Sequence, residues 1–330
     1  MGKFLKGFGV LLLVIVLASI IFENTYPYPA VKYGVTFSPR YAKYLNLDWQ
    51  KTYLQILDDL KVKNLRIPAY WDFVESKSGE FDFSESDFML DQADKRGVKV
   101  ILTLGIRQPR WPECHIPAWA KSLTVKKRQQ KVLGFVKKTV ERYKNHSSIA
   151  SWQVENEPLF SFFGEACDKP DKNFLKSEVE LVKKLDQRPI IITDSGEFGS
   201  WATPMRLSEI FGISVYRKAY DPLLGYKSYP ILPYFYNVRS FLTRNIFAQN
   251  NEKTIIAELQ AEPWAQKAVI DTPLTEQLKL FSLQNFKDDI EFAKKTGFDE
   301  IYLWGVEWWY YMAQNGYSQY LEYAKTLFNN

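Results

Sequence analysis

Two short acidic segments carry the residues that could do chemistry, and each follows a run of apolar, mostly β-branched residues. Glu157 stands in Asn156-Glu157-Pro158, two residues after Glu155, and Glu258 directly follows Ile-Ile-Ala. Paired carboxyl groups can cleave a glycosidic bond, because one protonates the leaving oxygen while the other attacks the anomeric carbon or activates water. A gap of about 5 Å between the two groups predicts retention of configuration, and roughly 6.5 Å or more predicts inversion.

Eight short strands alternating with amphipathic helices must position these glutamates. The predicted strands cover residues 32–37, 64–67, 98–104, 149–154, 189–193, 210–215, 254–257 and 300–304, and the clearest helices cover 48–63, 84–96, 125–143, 172–185 and 275–296. Repeated strand–helix units of this number predict a (β/α)8 TIM barrel, whose active site lies at the carboxyl ends of the strands. Glu157 would follow the fourth strand and Glu258 the seventh. Residues 216–236, rich in Pro, Tyr and Gly, are predicted to form a long loop.

An open, doubly wound sheet is the competing α/β architecture. Such sheets commonly place a glycine-rich phosphate-binding turn after the first strand, whereas residues 36–40 here read Thr-Phe-Ser-Pro-Arg. The absence of that turn, together with eight units rather than five or six, favours closure into a barrel.

The chain resembles glycoside hydrolase clan A, the retaining barrel enzymes that include cellulases, mannanases, xylanases and β-galactosidases. Asn156-Glu157-Pro158 is similar to the motif at the end of the clan's fourth strand, and Glu258 matches its nucleophile after the seventh. The resemblance implies that Glu157 is the acid/base and that Asn156 binds the sugar 2-hydroxyl. It further implies that Arg66 and Tyr216 contact the nucleophile. The clan's histidine after the third strand is missing, since this chain has Gly-Ile-Arg-Gln at 105–108.

Tryptophans are the expected stacking platforms for sugar rings, because an indole face packs against the apolar face of a pyranose. The resemblance implies that Trp308 forms the floor of the subsite beside the scissile bond, and Trp304 competes for that role. Trp71 and Trp264 are further candidates. Less specific candidates in the same strand-end loops are Trp111, Trp119, Asp194, Glu197 and Glu262, for each of which a structural role is the alternative.

The two cysteines follow neighbouring predicted strands. Cys114 lies after the third strand and Cys167 after the fourth, so a barrel would bring both to the same rim, where a disulfide and two free thiols are equally compatible with the sequence. No cluster of His, Cys or acidic residues has the spacing of a metal site, so neither a metal nor another cofactor is expected.

The first residues resemble an export signal. Lys3 and Lys6 precede an apolar run at 8–22, so residues 1–23 are expected to be an uncleaved signal anchor or, as the alternative, a cleaved signal peptide. A buried core helix is a weaker third reading. Residues 24–30 then form a short tether and 31–330 one catalytic domain. The expected location is the cell surface, anchored in the cytoplasmic membrane, with secretion as the alternative.

The expected partners are an oligosaccharide or polysaccharide and, through the N-terminus, a membrane. A net charge of +5 spread over 43 basic and 38 acidic residues argues against nucleic-acid binding, and a monomer is expected. The sequence thus predicts a retaining glycoside hydrolase acting on β-linked substrates. A transglycosylase, a carbohydrate-binding protein with little turnover and a membrane-anchored scaffold are the alternatives.

Overall fold

The computed structural model describes residues 29–162, 164, 167–221 and 225–328. Eight parallel strands close into a barrel in the order β1-β10-β9-β6-β5-β4-β3-β2, and β7 pairs with β8 in a separate antiparallel hairpin. The strands are β1 (Lys32–Thr36), β2 (Asn64–Pro68), β3 (Lys99–Leu104), β4 (Ile149–Val154), β5 (Ile190–Ser195), β6 (Ile210–Val215), β7 (Lys218–Asp221), β8 (Gly225–Ser228), β9 (Lys253–Gln260) and β10 (Glu300–Trp304). The predicted barrel and all eight of its strands are confirmed.

Helices surround the barrel and follow most of its strands. They are α1 (Pro39–Tyr44), α2 (Trp49–Asp58), α3 (Trp71–Val74), α4 (Ser84–Asp94), α5 (Val125–Tyr143), α6 (Lys172–Leu185), α7 (Ala202–Leu207), α8 (Pro233–Phe247), α9 (Leu274–Leu280), α10 (Leu283–Lys294), α11 (Val306–Gln314) and α12 (Gln319–Phe328). Side-chain caps begin several of them. Asp48, Thr124 and Asp171 each accept a hydrogen bond from a first-turn amide, which satisfies a donor that the helix leaves free.

Two predicted elements are wrong. The expected loop at 216–236 contains the hairpin β7–β8 and the start of α8, whose first residue, Pro233, suits a first helical turn. The single helix expected at 275–296 is divided into α9 and α10, because Ser282 and Asn285 form a reciprocal capping box that starts a new helix.

The barrel has a small core of its own inside the ring of strands. Ile101, Ile191, Ile255 and Tyr302 form a cluster separate from the larger core between strands and helices. The interior is tight: a Cβ placed on Gly212 would lie 2.8 Å from the Thr193 methyl carbon. Toward the carboxyl ends of the strands the inward-facing residues become polar, as at Arg66 and Gln153. The barrel interior therefore consists of an apolar layer and, next to the site, a layer of hydrogen-bonded side chains.

A β-bulge lies in β9 at the site of the predicted nucleophile. Toward β6, Ile213 pairs with Ile256 and Ser214 pairs with Glu258, so Ala257 is an extra residue. The pairing of β9 with β10 shifts within the same stretch. Because side chains alternate between the two faces of a strand, one extra residue changes which of them face inward. The bulge therefore aims Glu258 into the barrel mouth.

The predicted signal anchor at 1–23 and most of the predicted tether lie outside the described residues. Within the part that is described, no helix is both long and apolar enough to cross a membrane.

Candidate active site

Both oxygens of the Glu258 carboxyl group are held by hydrogen bonds. Oε1 accepts from Nη1 of Arg66 at 2.8 Å, and Oε2 accepts from the Tyr216 hydroxyl at 3.0 Å. Arg66 is fully buried and Glu258 only 5 % exposed, so this charge-assisted pair is well shielded from solvent. Contacts of this kind fix the carboxylate in one orientation. They suit a group that must attack from a defined direction.

Glu157 has a different environment. Its side chain is 7 % exposed, its Oε1 accepts a 2.5 Å hydrogen bond from the Ser214 hydroxyl, and its amide donates to Thr193 Oγ1 at 2.9 Å. Burial raises the pKa of Glu157 well above its usual range, and the negative charges of Glu258 and Glu113 raise it further. The two glutamates therefore have complementary environments, one paired with a cation and the other favouring the protonated form.

Arg66 links the two glutamate loops. Its Nη2 donates to Asn156 Oδ1 at 2.6 Å, and its Nε donates to Gln153 Oε1 at 2.7 Å. One guanidinium thus orients the nucleophile candidate and the residue beside the acid/base candidate. Glu155 and Glu157, on either side of Asn156, have φ angles of 60° and 47°. Left-handed backbone at two nonglycine residues is costly and persists only where the surroundings hold it.

The loop after β3 brings a third carboxyl group to the site. Glu113 accepts a hydrogen bond from Arg107 at 3.0 Å, and Arg107 also donates to the carbonyl oxygen of Asn156 at 3.2 Å. Burial raises the pKa of Glu113 to about 7; the charge of Glu258 adds to this shift and Arg107 opposes it. The next residue, Cys114, forms a disulfide with Cys167, whose Cα lies 5.4 Å away. The bond expected as one of two possibilities is present, and it ties the loop after β3 to the loop after β4.

A second arginine of the same loop reaches across the barrel mouth. Arg110 pairs with Glu262 after β9 and, at 2.6 Å, with Glu307 at the start of α11. Its guanidinium lies 4.2 Å from the ring centroid of Trp304, the last residue of β10. Glu262 is therefore paired with Arg110 in the structure. Trp304 is partly exposed at the end of a barrel strand.

Two of the predicted stacking residues are wrong. Trp308 is fully buried in α11, where its Nε1 donates to Gln277 Oε1 at 2.7 Å and its ring packs against Tyr320. Trp71 is fully buried as well and donates to Glu75 at 2.8 Å. Both side chains belong to the layer between strands and helices, because the chain has already turned outward at these positions.

The remaining aromatic and acidic candidates divide into two groups. Trp264 is partly exposed and packs edge-on against Tyr216, with 5.0 Å between ring centroids, so it stays a candidate together with Trp304. Trp111 is 60 % exposed on the loop after β3. The two acids at the carboxyl end of β5 have structural partners: Asp194, inside the strand, accepts from the Trp201 amide, and Glu197, just after it, accepts from the Tyr236 hydroxyl. Trp119 likewise donates to a backbone carbonyl, that of Glu75.

Sequence reasoning missed the groups that shape the Glu157 environment. Ser214 stands inside a strand and Thr193 inside another, so neither has a motif. Glu113 precedes a cysteine that was itself singled out, and a search of that cysteine's neighbours for acids would have found it. Among the described residues no group of His, Cys, Asp and Glu could hold a metal ion.

A barrel with two glutamates at the ends of its fourth and seventh strands defines the class of fold and site seen in clan A glycoside hydrolases. The family model "Glycosyl hydrolase family 10" matches residues 64–166, a segment that contains Arg66, Asn156 and Glu157. The expected resemblance to this clan is thereby confirmed.

Known proteins similar to this chain are distant relatives. A β-galactosidase of Lactobacillus acidophilus is 23 % identical over 163 residues, which cover 43 % of this chain and 24 % of that protein. The chain thus spans about a quarter of that curated relative's length. Among solved structures, a GH5_18 protein from Bifidobacterium longum in complex with Manβ1-4GlcNAc has a TM-score of 0.60 at 11 % identity, covering 83 % of this chain and 68 % of its own. A family 10 endo-β-1,4-xylanase from Gloeophyllum trabeum has a TM-score of 0.56 at 12 % identity, covering 84 % and 87 %. At such identities the likeness establishes the fold.

Proposed function

We propose that this protein is a retaining β-glycoside hydrolase, with Glu258 as nucleophile and Glu157 as acid/base. The observation that carries the proposal is the contrast between the two carboxyl groups. Both oxygens of Glu258 are occupied by Arg66 and Tyr216, whereas Glu157 is buried next to that negative charge. Pairs of carboxyl groups with opposite environments are typical of acid and nucleophile in glycoside cleavage.

The first step forms an ester. Glu258 attacks the anomeric carbon, the bond from that carbon to the leaving oxygen breaks, and the proton of Glu157 passes to the leaving oxygen. The ester removes the negative charge of Glu258, which is one of the causes of the raised pKa of Glu157. Loss of that charge lowers the pKa of Glu157, so that Glu157 stays ionised after donating its proton and can accept one from water in the second step. Glu157 then takes a proton from water as the water oxygen attacks the anomeric carbon and releases Glu258.

Arg66 and Asn156 supply the positioning. Since Arg66 contacts both Glu258 and Asn156, the group that would bind the sugar 2-hydroxyl is fixed relative to the nucleophile. Hydrogen bonds at that hydroxyl strengthen in the oxocarbenium-like transition state. Trp304 and Trp264, both partly exposed, are the proposed stacking surfaces for the sugar ring.

The substrate class follows the proteins that resemble this chain, whose names indicate β-galactosidase and endo-β-1,4-xylanase activity. We therefore propose a β-linked oligosaccharide or polysaccharide. A panel of aryl β-galactosides, β-xylobiosides and β-mannosides would identify the sugar. Proton NMR of the first product anomer would distinguish retention from inversion.

Two substitutions test the roles separately. Glu258→Gln removes the nucleophile and should lower kcat at least about 10⁴-fold on every substrate, because a neutral amide cannot form the ester. Glu157→Ala should spare substrates with good leaving groups in the first step, and added azide should restore turnover and yield a β-glycosyl azide. The control is Glu300→Gln, because Glu300 lies at the amino end of β10, whereas the site lies at the carboxyl ends of the strands. Full activity of the Glu258→Gln variant would overturn the nucleophile assignment.

We also propose that the protein acts outside the cytoplasm as a membrane-anchored monomer. Lys3 and Lys6 before the apolar run at 8–22 support an anchor, and the Cys114–Cys167 disulfide suits an oxidising compartment. Fractionation followed by alkaline carbonate washing would test the anchor. Release of the full-length chain into the wash would contradict it.

A further inference from the structure

A second acidic pair lies beneath the acid/base loop and has no part in the proposed chemistry. Glu155 directly precedes Asn156, and Glu178 lies on α6, which packs against β4. Glu178 is fully buried and Glu155 is 4 % exposed. On α6, Glu178 shares the inward stripe with Leu175, Val179 and Val182, where an apolar residue is the usual choice. A carboxyl group in such a position costs free energy unless it is neutral or has a hydrogen-bond partner.

The Glu155 carboxylate has two backbone donors. The amides of Ile106 and Arg107 donate to its two oxygens at 2.7 Å and 2.5 Å. Gly105, just before them, has room for no side chain, because a Cβ there would lie 2.3 Å from a Glu155 oxygen. The loop after β3 is therefore folded closely around this carboxylate, which favours its ionised form.

Glu178 has no such donors. Neither of its oxygens receives a hydrogen bond from any donor in the described part of the chain, and the group within hydrogen-bonding reach is the Glu155 carboxyl. Two carboxylates in contact cannot both be ionised inside a protein, because repulsion adds to the cost of burial. One proton must lie between them, and Glu178 must carry it, since the amides already satisfy Glu155 as an acceptor.

We propose that Glu178 is a protonated carboxylic acid that positions the acid/base loop by donating a hydrogen bond to the Glu155 carboxylate. The chain of contacts is short. Glu155 holds the amides of Ile106 and Arg107, and the carbonyl oxygen of Arg107 accepts the amide of Asn156 at 2.8 Å. Glu157 is the next residue after Asn156. The Glu155–Glu178 pair thus fixes the left-handed backbone that carries the acid/base.

Burial raises the pKa of Glu155. The hydrogen bond with Glu178 from α6, the amides of Ile106 and Arg107 and the positive charge of Arg107, from the loop after β3, oppose this shift. Burial raises the pKa of Glu178 well above its usual range, and the charge of Glu155 raises it further. These shifts agree with a proton that stays on Glu178 at neutral pH.

Two isosteric substitutions give opposite predictions. Glu178→Gln keeps a donor facing Glu155, so kcat should stay within about threefold of the wild type. Glu155→Gln points an amide NH₂ at a backbone N–H and removes the charge, so kcat should fall at least about tenfold. Glu180→Gln, two residues along α6 and exposed, is the control. A packing role alone would make the Glu178 and Glu155 variants equal, and equal losses would overturn the proposal.

Two measurements need no substrate, so they also stand if the proposed glycosidase activity fails. Infrared spectroscopy should show a carboxylic-acid C=O stretch at neutral pH that disappears in Glu178→Gln and persists in Glu180→Gln. The unfolding constant of the wild type should rise with pH, by up to about tenfold per pH unit for this one proton, and Glu178→Gln should remove that contribution. An infrared band unchanged by Glu178→Gln would refute a protonated Glu178. If Glu155→Gln does not fold, Glu178→Leu, which removes the donor but keeps the packing, replaces it and should lose kcat.

Discussion

Glu113 gives the site three carboxyl groups instead of two, and its charge acts on Glu157. In the free enzyme the alkaline limb of kcat/KM reports the pKa of the general acid. The charge of Glu113 raises the pKa of Glu157. Glu113→Gln removes that charge, so Glu157 should lose its proton at lower pH and the alkaline limb should move to lower pH. A pH profile of kcat/KM measures this shift. A limb that stays in place would show that Glu113 does not act on the acid.

Glu157 should also weaken the fold, because its environment favours the protonated form. Its pKa in the folded state lies above the ordinary value of 4.5, so the folded state binds this proton more tightly than the unfolded state. The protonated form of Glu157 contributes its full stabilisation below about pH 4.5. As pH rises from there toward the folded-state pKa, this contribution to the free energy of unfolding is lost at roughly 1.4 kcal/mol per pH unit. Glu157→Gln should therefore raise the free energy of unfolding, more at pH 8 than at pH 5. Urea denaturation at the two pH values tests it, and equal gains at both would contradict the argument.

Individual residues show where sequence reasoning reaches its limit. Strand position and resemblance predicted one group of residues, and the structure brings their side chains together: Glu157, Asn156, Glu258, Arg66 and Tyr216. Ser214 and Glu113 were missed because their roles depend on which side chains meet across the barrel. The prediction that Trp308 and Trp71 line the site was wrong for the same reason. A tryptophan near a strand end can face the barrel mouth or the layer of helices, and a shift of one residue in the turn changes which of the two it faces.

At the scale of elements, periodicity predicted the barrel strands well because they are short, apolar and separated by clear helices. The hairpin β7–β8 and helix α8 were missed because Pro and Gly in that segment indicate turns equally well between elements and within a loop. The bulge in β9 was not predictable from the pattern. Ala257 reads as an ordinary strand residue, and only its pairing with two neighbours shows that it is extra.

The disulfide joins two elements that carry site residues, so its loss should affect both stability and activity. Cys114 and Cys167 are 53 residues apart, and closing a loop of that length contributes about 2–4 kcal/mol. Cys114→Ser combined with Cys167→Ser should lower the free energy of unfolding by that amount. It should also reduce kcat, since Glu113 and Glu157 lie on the loops that the bond connects. Chemical denaturation and kinetics measure both effects. A stable but slower enzyme would assign the bond to positioning, and an unchanged one would contradict both roles.

For the whole molecule, the described residues form one barrel in which the first strand is held on both sides. β1 pairs with β10 over its full length and with β2 at Val35 and Thr36. The amide of Lys32 donates to the carbonyl oxygen of Asp299 at 2.8 Å, which completes the closure at the end where the chain enters the barrel. None of these contacts involves a residue before position 32, so the catalytic domain expected at 31–330 contains every bond that closes the ring.

A chain that begins at Ala30 should therefore fold and keep its chemistry. Its kcat/KM on a soluble aryl glycoside should lie within about twofold of the full-length protein, because the site residues are at the opposite end of the strands from the truncation. Its urea midpoint should be unchanged for the same reason. The truncated chain should move from the membrane pellet to the supernatant, whereas the full-length chain with Lys3 and Lys6 intact should stay in the pellet. Loss of folding in the truncated chain would show that residues before Ala30 belong to the barrel rather than to a tether.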